Sequence, residues 1–170
     1  MNIALCIYGP EIVSYGKLYS DFADAYPEHT VTLFRDINEN KLQSLWRVST
    51  VKRNYEIEHQ IEFDLCVGVY SLDTSLAHCK IPHDIVQDTL YFTNGYFDQS
   101  RFSTGVSMSC FFCRSYEFDR VSEFIHNVAN IRIHLPDEES RFYFHIKSLM
   151  YRTECVNRED ATLFKIDNHH

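Results

Sequence analysis

The chain has 170 residues, a formal net charge of −8 from 24 acidic and 16 basic side chains, 45% hydrophobic and 15% aromatic residues, and only 5 Gly and 4 Pro. That length suits one domain with a substantial core, and the composition excludes a disordered or Gly-rich chain. The acidity, with no Lys or Arg cluster, excludes a nonspecific nucleic-acid binder, since neutralising phosphates needs grouped cations.

There is no apolar run of about 18 residues and no charged leader followed by a long apolar stretch, so neither a membrane span nor a signal peptide is expected. A cytoplasmic setting with reduced thiols follows, and the 6 cysteines are read accordingly. Residues 1–168 are expected to form a single α/β domain, a mainly parallel sheet flanked by helices. His169 and His170 are a natural tail or a tag remnant. No repeat, low-complexity tract or linker divides the chain.

Residues 2–10 open the fold. Ile3, Ala4, Leu5, Cys6 and Ile7 are a short continuous apolar run, which suits a central parallel strand covered on both faces. Gly9 and Pro10 stop it, Gly9 permitting close approach of a ligand phosphate or ribose and Pro10 forbidding a central strand to continue. Ile12, Val13, Tyr15, Leu18, Tyr19, Phe22, Ala23 and Tyr26 then recur at helical spacing. Strand, Gly turn, helix is the opening of a nucleotide-binding α/β unit, whose ligands sit beyond the carboxyl ends of the strands. A first strand that merely turns into a helix reads equally well. Neither G-x-G-x-x-G nor G-x-x-x-x-G-K-[ST] occurs, so a dinucleotide fold or P-loop is not expected.

Residues 30–34 are β-branched and aromatic, a second strand. Residues 35–40 are polar and read as the loop leaving it, with Arg35 and Asp36 either at a ligand rim or in a solvated turn. Residues 41–59 form a long amphipathic helix capped by Asn40, with Trp46 expected to pack against the sheet. Residues 63–70 are apolar throughout, a third and central strand. The polar segment 71–75 follows, where Asp73 would meet a metal-bound diphosphate.

A loop over 78–87, a short strand over 89–92 and the turn dipeptide Asn94-Gly95 come next. Residues 96–104 lack periodicity and read as a loop near the site, and 106–112 are ambiguous between strand and buried helix. Ser115 is expected to cap an amphipathic helix reaching Val128. Residues 131–135 alternate like an edge strand or extended connection, and 137–150 form a helix with acidic residues in its first turn. Residues 154–156 suggest a last strand, followed by a turn at 157–160 and an apolar patch at 161–166. Cys110-Phe-Phe-Cys113 has the spacing of half a zinc site or a redox pair. No second C-x-x-C or H-x₃₋₅-H accompanies it, and buried structural cysteines are the expected outcome.

The order of elements supports a resemblance. Ile-Ala-Leu-Cys-Ile-Tyr-Gly at 3–9, Leu-Gln-Ser-Leu-Trp at 42–46, Tyr55-Glu56, Phe-Asp-Leu-Cys-Val at 63–67, Asp98-Gln99, Ser-Thr-Gly at 103–105 and Glu138-Glu139 resemble small nucleotide-sugar-dependent, GT-A-like glycosyltransferase-related proteins of bacterial polysaccharide loci, phages and large viruses. The resemblance spans about residues 2–156. It implies a nucleotide-diphospho-sugar donor held near Tyr8 and Gly9; Arg35 and Asp36, at the rim where α/β folds place ligands, are further candidate contacts, and Arg101 is either a phosphate contact or a solvated arginine. It also implies a divalent Mn or Mg ion on Asp73, and Asp98 is either the base for an acceptor hydroxyl or a turn carboxylate near Asn94-Gly95.

This chain departs from the family where its catalytic members end the third strand in Arg-x-Asp. Here that register gives Tyr70-Ser71-Leu72, with the carboxylate one residue later at Asp73, and a one-residue shift in extended chain turns a side chain to the opposite side. The alternative is therefore a catalytically inactive module, possibly phage-encoded, that binds a nucleotide-like ligand or a host protein in the host cytoplasm. An acidic, aromatic-rich surface suits a protein partner.

Overall fold

The structure, a computed structural model, describes residues 1–10, 15–70, 85–92, 95–98, 103–106, 108, 110–128 and 137–155. Its centre is a 6-stranded sheet in the order β2-β1-β3-β7-β4-β8. The strands are β1 (Asn2–Gly9), β2 (Thr30–Ile37), β3 (Leu65–Tyr70), β4 (Thr89–Phe92), β7 (Cys110–Cys113) and β8 (Arg152–Cys155). β1 pairs in parallel with β2 and β3, and β4 with β8, while β7 alone runs against its neighbours β3 and β4. The mostly parallel α/β architecture expected from the apolar strand runs is the one observed. β5 (Gly95–Asp98) and β6 (Ser103–Val106) form a separate hairpin, with Asp98 paired to Ser103.

Helices cover both faces. α1 (Tyr15–Ala25) lies on one, where Leu18 and Phe22 meet Ile3, Leu5 and Ile7 of β1. α2 (Lys41–His59), α3 (Ser115–Ser122), α4 (Phe124–Asn127) and α5 (Glu138–Ser148) occupy the other, where Leu45, Val48, Phe118, Phe124 and Phe142 meet Ala4, Cys6, Tyr8 and Cys66. The alternation of side chains along β1 divides its buried residues between these two cores.

Several boundaries differ from the sequence expectation for physical reasons. Arg35, Asp36 and Ile37, expected in a loop, continue β2, because Ile7, Tyr8 and Gly9 offer a parallel partner for each. β3 starts at Leu65 and not at residue 63, since the Phe63 N–H donates to Glu56 Oε1 and the Asp64 N–H to the Asn2 carbonyl. Residues 96–104, expected as loop, carry the paired ends of β5 and β6, whose ladder needs no apolar alternation.

The single helix expected from Ser115 is two, with Glu123 at φ −71°, ψ 0° between α3 and α4. Ser115 is not its cap: Arg114 takes that position, and the Ser115 hydroxyl donates to Glu56 Oε1 instead. Asn40 does cap α2, its side-chain oxygen accepting from the Gln43 N–H at 3.0 Å. Trp46 is half-buried and stands edge-on to His126, ring centroids 5.1 Å apart, where packing against the sheet had been expected.

Candidate functional site

In the order β2-β1-β3 the chain leaves β1 to one side, through α1 to β2, and then crosses back through α2 to β3. The carboxyl ends of β1 and β3 are therefore neighbours at a topological switch point, the place where open α/β sheets bind ligands. Register makes this concrete: Tyr8 is level with Asp36 on one side and Tyr70 on the other, and Gly9 is level with Ile37. Side chains in register share a face, so Asp36, Tyr8 and Tyr70 form a row on the α2 side, and Ile7, Arg35 and Val69 a row on the α1 side.

Two hydrogen bonds weld this end of the sheet to α2, and a third extends the ladder between β1 and β2. The Ser44 hydroxyl donates to the Asp36 carbonyl at 2.7 Å and accepts from the Gly9 N–H at 2.8 Å. The Asn38 N–H donates to the Gly9 carbonyl at 2.9 Å. Gly9 thus has both backbone groups engaged by the protein, and what it offers a ligand is its missing side chain. Its φ of 106° lies where only glycine is comfortable.

On the α1 side a shallow hollow is lined by Ile7, Gly9, Pro10, Tyr15, Arg35, Asp36 and Ile37. The Arg35 guanidinium lies 4.2 Å from the centre of the exposed Tyr15 ring, a cation over an aromatic face. Asp36 contributes its backbone here; its side chain is on the α2 side beside Tyr8, where Oδ2 is buried and has no hydrogen-bond partner among the described residues.

On the α2 side, the Lys41 ammonium sits 4.8 Å from the Tyr70 ring centre and 3.4 Å from Glu138 Oε1, and Tyr70 stands 5.8 Å from Tyr8. Tyr8 is fully buried and its hydroxyl donates to the Met108 carbonyl. Burial foremost, then Cys110, Glu138 and Tyr70 nearby, push its phenol well up. It stays protonated, a core residue packed beside Tyr70.

The sequence candidates are distributed as follows. Tyr8, Gly9, Arg35 and Asp36 are brought together at the switch point. Asp98 ends β5 in the hairpin, and Asp73 and Arg101 lie outside the described residues. Among the described residues, no three His, Cys, Asp or Glu side chains converge on a point that could hold an ion. Asp36 and Glu138 are the carboxylates at the crevice, and Glu138 is taken by Lys41, so the described residues alone do not compose a divalent-ion site.

Sequence reasoning missed Tyr15, Lys41, Ser44 and Tyr70 as crevice residues. Tyr70 had a readable signal, ending its strand in the way Tyr8 ends the first. Cys110 and Cys113 belong to opposite cores, because residues three apart in a strand point to opposite faces. They can neither chelate one ion nor bridge to each other, and both are free and buried, in agreement with the structural role expected of them.

Among known proteins, no family model matches and no curated protein matches. Among solved structures, the fold is similar to a crystal structure of a glycosyltransferase involved in the glycosylation of the major capsid of PBCV-1. The TM-score is 0.53 and the identity 9%, over 92% of this chain and 81% of that one. A nucleoside-diphosphate-sugar pyrophosphorylase from Vibrio cholerae RC9 aligns at a TM-score of 0.45 and 7% identity, over 98% of this chain and 78% of that one. The first likeness establishes a glycosyltransferase-like α/β fold. Among the described residues, no helix is long and apolar enough to cross a membrane.

Proposed function

We propose that this protein binds a nucleotide-diphospho-sugar at the carboxyl ends of β1, β2 and β3 and acts as a glycosyltransferase-like protein. The observation that carries this reading is the hollow at the switch point, where Gly9, Tyr15 and Arg35 meet at the carboxyl ends of β1 and β2, on a fold similar to a glycosyltransferase. The nucleoside lies in the hollow over Gly9 on the α1 side, its ring against Tyr15, with Arg35 facing phosphate. If the protein transfers sugar, Asp98 accepts the acceptor proton and Asp73 ligates a Mn or Mg ion that would neutralise the leaving diphosphate.

A second reading, a noncatalytic module that binds the same ligand or a host protein, is favoured by one observation. Where catalytic members of the resembled family end the third strand in Arg-x-Asp, this chain has Tyr70-Ser71-Leu72, with the carboxylate one residue later at Asp73.

Calorimetric titration with uridine and guanosine diphosphate-sugars, with and without Mn²⁺, tests the first reading alongside an assay for sugar release. Binding that Arg35→Met weakens about tenfold is expected, the loss of one charge-assisted contact to phosphate. Metal-dependent affinity that Asp73→Ala abolishes supports transfer. Metal-independent binding with no sugar release supports the module. Absence of any nucleotide binding refutes both nucleotide readings.

A further inference from the structure

We propose that Lys41 is the residue that meets the diphosphate of the ligand and that Glu138 holds it over the crevice until the ligand arrives; this rests on the nucleotide-binding reading above. Lys41 is the first residue of α2, and α2 is fixed to the ends of β1 and β2 through Ser44. From there its ammonium reaches the ring of Tyr70, the last residue of β3, at 4.8 Å. β1 lies between β2 and β3, so one side chain spans the switch point.

Solvated lysines at helix starts are mobile and exposed. This one is only 19% exposed, held between an aromatic face and a carboxylate. The helix it begins directs its positive pole at the same place, which favours an anion there.

Glu138 is a replaceable partner. Its Oε1 lies 3.4 Å from Lys41 Nζ, longer than the roughly 2.7–2.9 Å of a strong charge-assisted hydrogen bond, and its side chain is 42% exposed. Such pairs contribute little. A diphosphate brings more charge and more acceptor oxygens, and takes the ammonium from it. Glu138 and Glu139 both lie in the first turn of α5 and near enough to act on the Tyr8 phenol, so they also repel an incoming anion. Arg35, on the other face of the sheet, supplies the second cation beside the end of β1. Ligand binding accordingly uncouples the start of α5 from the start of α2, since the Lys41 to Glu138 pair joins the two.

The test is calorimetry on the full chain with uridine against uridine diphosphate, and guanosine against guanosine diphosphate. Wild type, Lys41→Met, Lys41→Arg and Glu138→Gln are compared, with thermal melts to check folding. Lys41→Met is expected to weaken the diphosphates about tenfold and leave the nucleosides unchanged, Lys41→Arg to keep most of the affinity, and Glu138→Gln to tighten the diphosphates about threefold. A merely structural ion pair would move nucleoside and diphosphate together. Equal losses for both, no change in either variant, or weaker diphosphate binding by Glu138→Gln overturns the inference while the nucleotide reading stands. If wild type binds neither nucleosides nor diphosphates, the nucleotide reading falls and this inference with it.

Discussion

Replacing Lys52 by methionine should destabilise the protein more than any surface change, for a reason visible in one cluster. Lys52 is fully buried on α2, and its ammonium donates to Glu56 Oε2 at 2.9 Å, to Asp119 Oδ1 at 3.0 Å and to the Ser115 hydroxyl. Burial alone would lower its pKa, but the Asp119 and Glu56 carboxylates around it outweigh that and hold the ammonium well above the ordinary lysine range. Burial raises Asp119, opposed by Lys52 and by the Ser49 hydroxyl that donates to it at 2.7 Å.

A charge pair at about 3 Å is worth roughly 5 kcal/mol at an effective dielectric of about 20, and desolvation offsets most of this. Removing the cation alone leaves two largely covered carboxylates facing each other, which costs about 3–5 kcal/mol against a total stability of about 5–15 kcal/mol. Urea unfolding followed by far-UV circular dichroism measures it. Adding Glu56→Gln and Asp119→Asn to Lys52→Met should restore most of the loss. Since burial without a cation raises a folded carboxyl pKa, the folded variant binds more protons than its unfolded chain, and its stability should recover as pH falls from 7 to 5. A Lys52→Met protein within about 1 kcal/mol of wild type, or one that the added neutral partners do not rescue, would refute the account.

Gly68→Ala should cost about 1–3 kcal/mol in the same assay, because an added Cβ would stand 2.9 Å from Phe111 Cε1 and 3.0 Å from Phe118 Cε2, in rings stacked 5.6 Å apart with no flexible end to yield. Ser44→Ala leaves the Gly9 N–H and Asp36 carbonyl without their bridge and should cost about 1–3 kcal/mol by urea unfolding, with weaker nucleotide binding in calorimetry. Burial lowers the pKa of His145 below the ordinary 6.5, so the unfolded chain binds the extra proton first. Stability is then full above that value and declines as pH falls through it toward the folded pKa, and a pH series of melts on His145→Met should show a smaller acid loss than wild type.

What could be read from the sequence was what local pattern decides. β1 and β3 are apolar enough to have no other home than the middle of a sheet, whereas their lying side by side is set by the pairing between them and not by local pattern. The end of β2 was not readable, because Arg35 and Asp36 are polar and become strand only through the partner that β1 supplies. Lys52 and Ser44 were hidden for the opposite reason: on an amphipathic helix a lysine and a serine read as solvated. The spacing of Leu45, Val48 and Lys52 on one stripe was the available clue. Lys41 and Glu138 are far apart in the chain, and no local signal pairs them.

The thiols of Cys6, Cys66, Cys110 and Cys113 are all fully covered and reduced. Burial leads the effect that pushes Cys66 up to about 12, and it raises the others as well. A neutral, shielded sulfur does not react with iodoacetamide, so each alkylates only when its strand parts from the sheet. Cys6 and Cys66 stand on the adjoining strands that frame the crevice, and Cys113 faces Cys66 across the reversed strand. The chain therefore carries its own clock for local opening: mass-resolved alkylation at these sites would time how often the sheet breathes, and whether a bound nucleotide slows it.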